Sequence, residues 1–179
     1  PIAFETLSGV ITARKREALL ALDLPAIPLQ AAAMPTDLLP ALGLSAPPIF
    51  YGTHSNEVSL VHVHDEKTVR EMKPNFHALK QIDSVDFIVT ARCTTDAGCD
   101  FVSRVFVPRQ GIDEDPVTGS AHCALGPYWK NLLKKDSLEA IQVSARGGKL
   151  HIRPRGERVW VGGCAVTGRL DGTVVEFDE

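Results

Sequence analysis

The chain has 179 residues, 44% hydrophobic and 23% charged, the composition of a globular protein and not of a disordered or collagenous one. Its 19 Lys and Arg stand against 22 Asp and Glu, a net charge of -3, which supplies no electrostatic basis for binding nucleic acid or an anionic membrane. No apolar run is long enough to span a bilayer, and Pro1-Ile2-Ala3-Phe4-Glu5-Thr6 has neither the basic start nor the apolar core of a secretion signal, so the chain reads as cytoplasmic.

The chain opens inside strand-like sequence, Ile2-Ala3-Phe4, and further sequence upstream is expected. After a turn at Ser8-Gly9 comes a second strand, Val10-Ile11-Thr12-Ala13. Arg14–Leu22 favours helix on propensity alone, yet Ala18–Leu22 fits a buried strand equally well. Pro25 to Pro48 holds six of the 12 prolines and reads as a connector, with a domain boundary and one short helix, Thr36–Leu42, bounded or broken at Pro40.

Strands are then predicted over Val58–Val63, Val85–Ala91 and Phe101–Val107, the last ending at Pro108. Between the first two lie short helices at Asp65–Met72, with Asp65 as N-cap, and at Phe76–Ile82. The longest helix is expected at Gly119–Leu133, kinked by Pro127, with Tyr128 and Trp129 as packing residues. Further strands follow at Ile141–Ser144, Lys149–Arg153, Arg158–Val161, Ala165–Leu170 and Thr173–Phe177. Many strands and one principal helix imply an α+β fold, a curved sheet or β-barrel wrapped around Gly119–Leu133.

Cys93, Cys99, Cys123 and Cys164 are scattered without a metal-binding spacing and read as buried, reduced thiols. A Cys93–Cys99 disulfide is the less favoured alternative in a cytosolic protein. His62 and His64 alternate on a strand and share a face, but without a third ligand they read as an exposed polar face and not as a metal site. Arg146-Gly147-Gly148-Lys149 lacks the spacing of a phosphate loop and reads as a tight turn, from which Arg146 can face a cleft.

The most unusual stretch is Gly111-Ile112-Asp113-Glu114-Asp115-Pro116-Val117-Thr118-Gly119-Ser120-Ala121-His122. Three consecutive acids repel one another and are not a packing choice. Asp115-Pro116 sets a turn, and Thr118-Gly119-Ser120 opens a helix with small side chains. The first amides of a helix lack internal acceptors and carry the positive end of its dipole, so an uncovered Gly-Ser start can receive a carboxylate or phosphate. Ser120 adds a hydroxyl, and Asp115 stands near as a proton donor or acceptor. A plain cap, with Thr118 or Asp115 as N-cap, explains the same residues equally well.

The run Asp113–His122 resembles the signature of PhzF-like isomerases, the phenazine-biosynthesis family with the diaminopimelate-epimerase fold. The resemblance extends to Phe101-Val102-Ser103-Arg104-Val105-Phe106, Pro127-Tyr128-Trp129 and Ser144-Ala145-Arg146-Gly147-Gly148, and upstream to Phe4–Gly9 and Leu22–Pro25. It implies two similar domains, each a β-barrel around a helix, with the site in the cleft between them. It implies proton shifts on a small carboxylate-bearing substrate with no metal and no organic cofactor. A homodimer is plausible by the same resemblance.

On this basis residues 1–27 are the tail of a first domain, and 28–179 form the second. Val10–Leu24 becomes a β-hairpin. Asp115 and Ser120 are the expected catalytic residues. Thr118, Gly119, Ser120, Ala121, His122 and Arg146 are expected to bind substrate, with His122 orienting it or binding back to the turn. Cys123 is expected in the core. The family's general-base glutamate belongs to the first domain and has no counterpart in this chain, Glu5 included. The rival reading is a small-acid-binding or interaction module lacking that base. An epimerase using thiols is disfavoured, because no cysteine lies between Asp115 and Ser120.

Overall fold

The computed structural model describes residues 1–165 except Ser8, Glu17, Ala18 and Asn56. The strands expected at 165–170 and 173–177 therefore lie, Ala165 apart, outside the described residues. Three antiparallel strands open the chain: β1 (Ile2–Thr6), β2 (Gly9–Arg16) and β3 (Leu19–Pro25). The helix suggested by the propensity of Arg14–Leu22 does not form. Ala13 pairs with Leu22, and Leu22 and Leu24 pair in turn with Val161 and Val159. Alternate leucines thus join one face of a sheet, and pairing on both edges of β3 outweighs a few tenths of a kcal/mol per residue of helix preference.

There follow β4 (Gln30–Ala31), α1 (Leu38–Leu42), β5 (Phe50–His54), β6 (Val58–His62), α2 (Glu66–Glu71), α3 (Phe76–Leu79), β7 (Asp86–Arg92) and β8 (Phe101–Val107). Asp65 caps α2 as expected, its carboxylate accepting the Thr68 N–H at 2.7 Å. The C-terminal part contains β9 (Ile112–Asp115), α4 (Ala121–Leu133), β10 (Leu138–Gln142), β11 (Gly148–Arg155) and β12 (Arg158–Cys164). The short strands β4, β5 and β9 had no clear periodicity to announce them.

The strands form one 12-stranded mixed sheet in the order β1-β2-β3-β12-β11-β10-β8-β7-β6-β5-β4, with β9 added to β8. It is open where a closed barrel was one expectation, since the path ends at β1 and β4. One face holds α4, whose Ala121, Cys123, Ala124, Leu125 and Trp129 pack with residues of β6, β7, β8, β10, β11 and β12. The other face carries α1, α2 and α3 over Val61, Phe87, Val89, Val102 and Phe106. Covered on both faces, β6 to β8 are buried along most of their length, without the in-out alternation of a half-exposed sheet.

Helix α4 contains Pro127 and continues past it to Leu133. Gly126 lets the helix lie close to β11 and β12: a Cβ there would stand 2.8 Å from Ile152 Cγ2. Trp129 is fully buried, stacked on Phe101 with its indole N–H donating to Thr90 Oγ1.

Candidate functional site

The unusual segment begins where β8 ends. Pro108–Gln110 forms one 3-10 turn, closed by Gly111 at φ 87°, and β9 runs back antiparallel to β8 with Asp115 opposite Val105. Side chains alternate along a strand, so Asp115 lies on the α4 side with Val105, while Glu114 lies on the other. There Glu114 meets Arg104 in a two-pronged ion pair. Asp115 and Glu114 thus lie on opposite sides of the sheet, and a register shift between Val105 and Val107 interrupts the simple alternation toward Ile112.

Beyond Asp115 the chain is gripped by side chains from the β10–β11 connection. Gln142 is fully buried. Its Oε1 accepts the Thr118 N–H at 2.8 Å, and its Nε2 donates to the Asp115 carbonyl at 2.7 Å and to Thr118 Oγ1 at 3.1 Å. Thr118 Oγ1 in turn donates to Asp115 Oδ2. Ser144 Oγ donates to the Pro116 carbonyl at 2.7 Å and accepts the Gly147 N–H at 3.0 Å. Gly148 completes the contact, for a Cβ there would stand 2.6 Å from Val117 Cγ2.

The cap reading of this segment does not hold. Ser120, not Thr118 or Asp115, occupies the N-cap position, and its hydroxyl makes no capping bond. The His122 and Cys123 amides are taken by the Gly119 and Ser120 carbonyls. Those of Gly119, Ser120 and Ala121 donate to no protein acceptor among the described residues. Ser120 is exposed, and the space beside Gly119 is open, with nothing within 4 Å of a Cβ placed there. Such a row of free amides at the start of a 13-residue helix is where an anion is stabilised.

His122 is fully buried under the helix, stacked on Phe101. Its Nδ1 lies 2.7 Å from the Thr118 carbonyl, which can only accept, so the proton sits on Nδ1. Burial holds this imidazole down at about 4, hence neutral, and Nε2 meets no partner among the described residues. Of its two expected roles, binding back to the turn is the one the geometry displays. Arg146 is exposed on the turn that Ser144 ties to Pro116. Cys123 is buried, and burial pushes its thiol up to about 12.

Sequence reading missed Gln142, Ser144 and Asp86. A lone glutamine at a strand end carries no pattern, and Ser144, though within the run that resembles the family, was given no role there. Asp86 opens β7 and, by register with Ile88 and Val105, faces the same side of the sheet as Asp115. Burial, then the charges of Asp115 and Glu57, push its carboxyl up to about 6.

The histidine pair is resolved otherwise than expected. His62 is buried and not part of an exposed polar face, its Nδ1 2.7 Å from the Tyr128 hydroxyl. His64 turns instead toward the Pro47 carbonyl, at 3.1 Å from Nε2. No helix of the described residues is long and apolar enough to cross a membrane.

A family model described as phenazine biosynthesis-like protein matches residues 1–170. The chain belongs to the phenazine biosynthesis-like, or PhzF, family. It is 44% identical over 168 residues to an uncharacterized isomerase of Halalkalibacterium halodurans, covering 93% of this chain and 62% of that protein. The crystal structure of a PhzF-family protein of Enterococcus faecalis superposes with a TM-score of 0.81 at 37% identity, over 91% of this chain and 60% of that one. A predicted epimerase of Pseudomonas aeruginosa shares the fold alone, with a TM-score of 0.57 at 16% identity over 87% of this chain and 59% of that one. The PhzF chain described here thus spans about three fifths of the length of the relatives it matches, with the α+β, epimerase-like architecture expected for it.

Proposed function

We propose that the complete protein is an isomerase that moves a proton on a small carboxylate-bearing substrate, and that residues 115–121 form one wall of its site. The observation that carries this reading is the set of uncommitted Gly119, Ser120 and Ala121 amides directly after Thr118, whose hydroxyl donates to the Asp115 carboxylate. The amides and the Ser120 hydroxyl hold the substrate carboxylate, and Arg146 lies within the same turn cluster. Asp115 takes a proton from carbon or returns one to it. The principal base is a second carboxylate, supplied from sequence preceding Pro1.

The division at residues 27 and 28 belongs to the same proposal. Ile2, Phe4, Leu20 and Leu22 are 63%, 48%, 46% and 40% exposed. By register with Ala13 and Val161 they continue the α4-facing side of the sheet. An apolar face of this kind is the inner side of a domain whose own helix covers it. That domain supplies the opposite wall of the cleft.

The test uses the full-length protein in deuterated water with a panel of aromatic and aliphatic carboxylates, read by mass spectrometry. The wild type is expected to incorporate deuterium into one class of them. Asp115→Asn is expected to slow incorporation by about 100-fold or more. Incorporation unchanged by Asp115→Asn removes Asp115 from the reaction, and no incorporation by the wild type favours the binding-module reading.

A further inference from the structure

We propose that Gln142 is a positioning residue that, through Thr118, commits Asp115 Oδ2 to accepting a hydrogen bond and leaves Oδ1 as the oxygen that meets the substrate. The inference rests on the proton-transfer role given to Asp115 above. It follows from which groups can donate. The Thr118 backbone N–H can only donate, so the Gln142 atom 2.8 Å from it is the amide oxygen. The Asp115 carbonyl can only accept, so the atom 2.7 Å from it is the amide nitrogen. Both ends of the amide agree, and its orientation has no flipped alternative.

The same nitrogen lies 3.1 Å from Thr118 Oγ1. An amide nitrogen offers hydrogens and no lone pair, so the Thr118 hydroxyl receives a bond from Gln142 and must point its single hydrogen elsewhere. Its remaining partner is Asp115 Oδ2. No protein group among the described residues donates to Oδ1. A chain of fixed polarity, Gln142 to Thr118 to Asp115, therefore sets which carboxylate oxygen is occupied before any ligand arrives. The amide is fully buried, so water does not compete for it. Preorganisation of this kind keeps a proton-transfer group aimed without reorganisation during the reaction.

Gln142→Glu tests this directly, because it keeps the shape and reverses the polarity. A carboxylate there still accepts from the Thr118 N–H but invites the Thr118 hydroxyl to donate to it and away from Asp115. Neutron diffraction from deuterated crystals of the chain locates that hydrogen. In the wild type it is expected between Thr118 Oγ1 and Asp115 Oδ2, and in Gln142→Glu on the line to the substituted carboxylate. A wild-type hydroxyl deuterium directed away from Asp115, or one unmoved by Gln142→Glu, overturns the proposal.

Should Gln142→Glu fail to fold, Thr118→Val and Thr118→Ser decide through deuterium incorporation by the full-length protein. The valine variant is expected to lose about 10-fold or more in rate and the serine variant to recover most of it. Equal rates for both overturn the proposal. Failure of the wild type to incorporate deuterium, with the hydroxyl oriented as expected, sinks the proton-transfer reading and leaves only the hydrogen-bond polarity.

Discussion

Arg104 grips Glu114 by two parallel hydrogen bonds, Nε to Oε1 at 2.7 Å and Nη2 to Oε2 at 2.8 Å, on the face of the sheet turned away from Asp115. Arg104 Nη1 also donates to the Val69 and Met72 carbonyls at 3.3 and 2.9 Å. One guanidinium thus joins β8, β9 and the end of α2. The strand alternation that buries this pair on one side is what presents Asp115 on the other.

Removing one partner of a largely buried pair leaves the other charge uncompensated. The side chains of Arg104 and Glu114 are only 13% and 19% exposed. Glu114→Ala is expected to destabilise the chain by about 2 to 4 kcal/mol, measured as a lower urea midpoint. An unchanged midpoint would show that the pair contributes nothing net.

Gly148 and Val117 make a second, steric prediction. Gly148→Ala places a methyl 2.6 Å from Val117 Cγ2, too close to keep without displacing the Asp115–Ser120 segment. A cost of about 1 to 3 kcal/mol is expected. Val117→Ala in the same chain makes room and should restore much of that loss. Additive effects of the two changes would contradict the contact.

Asp86 gives the pH dependence a definite sign. Its folded pKa, about 6, stands above the ordinary aspartate value of 3.8. Between these the folded chain holds a proton that the unfolded chain has released, so this group's contribution to stability falls as pH rises through the window. Asp86→Asn should therefore be more stable than the wild type above pH 6 and equal to it below pH 4. Asp115→Asn removes one of the causes and should lower the Asp86 titration midpoint, read by carbon NMR of its carboxyl.

Two buried histidines act in the opposite sense. Burial holds His62 and His122 down at about 4, from 6.5. Between those values the unfolded chain binds the extra protons, so their contribution to stability is lost as pH falls toward 4. His62→Phe keeps the aromatic packing against Trp129 and should flatten the fall in urea midpoint between pH 6.5 and 4. An equally steep fall would show that His62 does not drive it.

Much of the architecture was legible in the chain, for reasons that also explain the gaps. Val85–Ala91 and Phe101–Val107 are β-branched and aromatic runs buried on both faces, and both appear as strands within a residue or two. Asp65 announced a helix start through its own hydrogen-bonding chemistry. Arg14–Leu22 misled on propensity, because pairing with β12 decides it and pairing lies over a hundred residues away. Within the site, Asp115 to Ala121 stood out as a contiguous pattern. The roles of Gln142, Ser144 and Asp86 could not, since each is an ordinary residue whose meaning comes from the neighbour that the fold places beside it.

The most direct test of the carboxylate-binding wall is calorimetric titration of the chain with benzoate, beside a Ser120→Pro variant that removes one amide of the row. Saturable binding by the wild type, lost in Ser120→Pro with the fold intact by circular dichroism, is the expected result. Binding of equal strength in both would contradict a site at Gly119, Ser120 and Ala121.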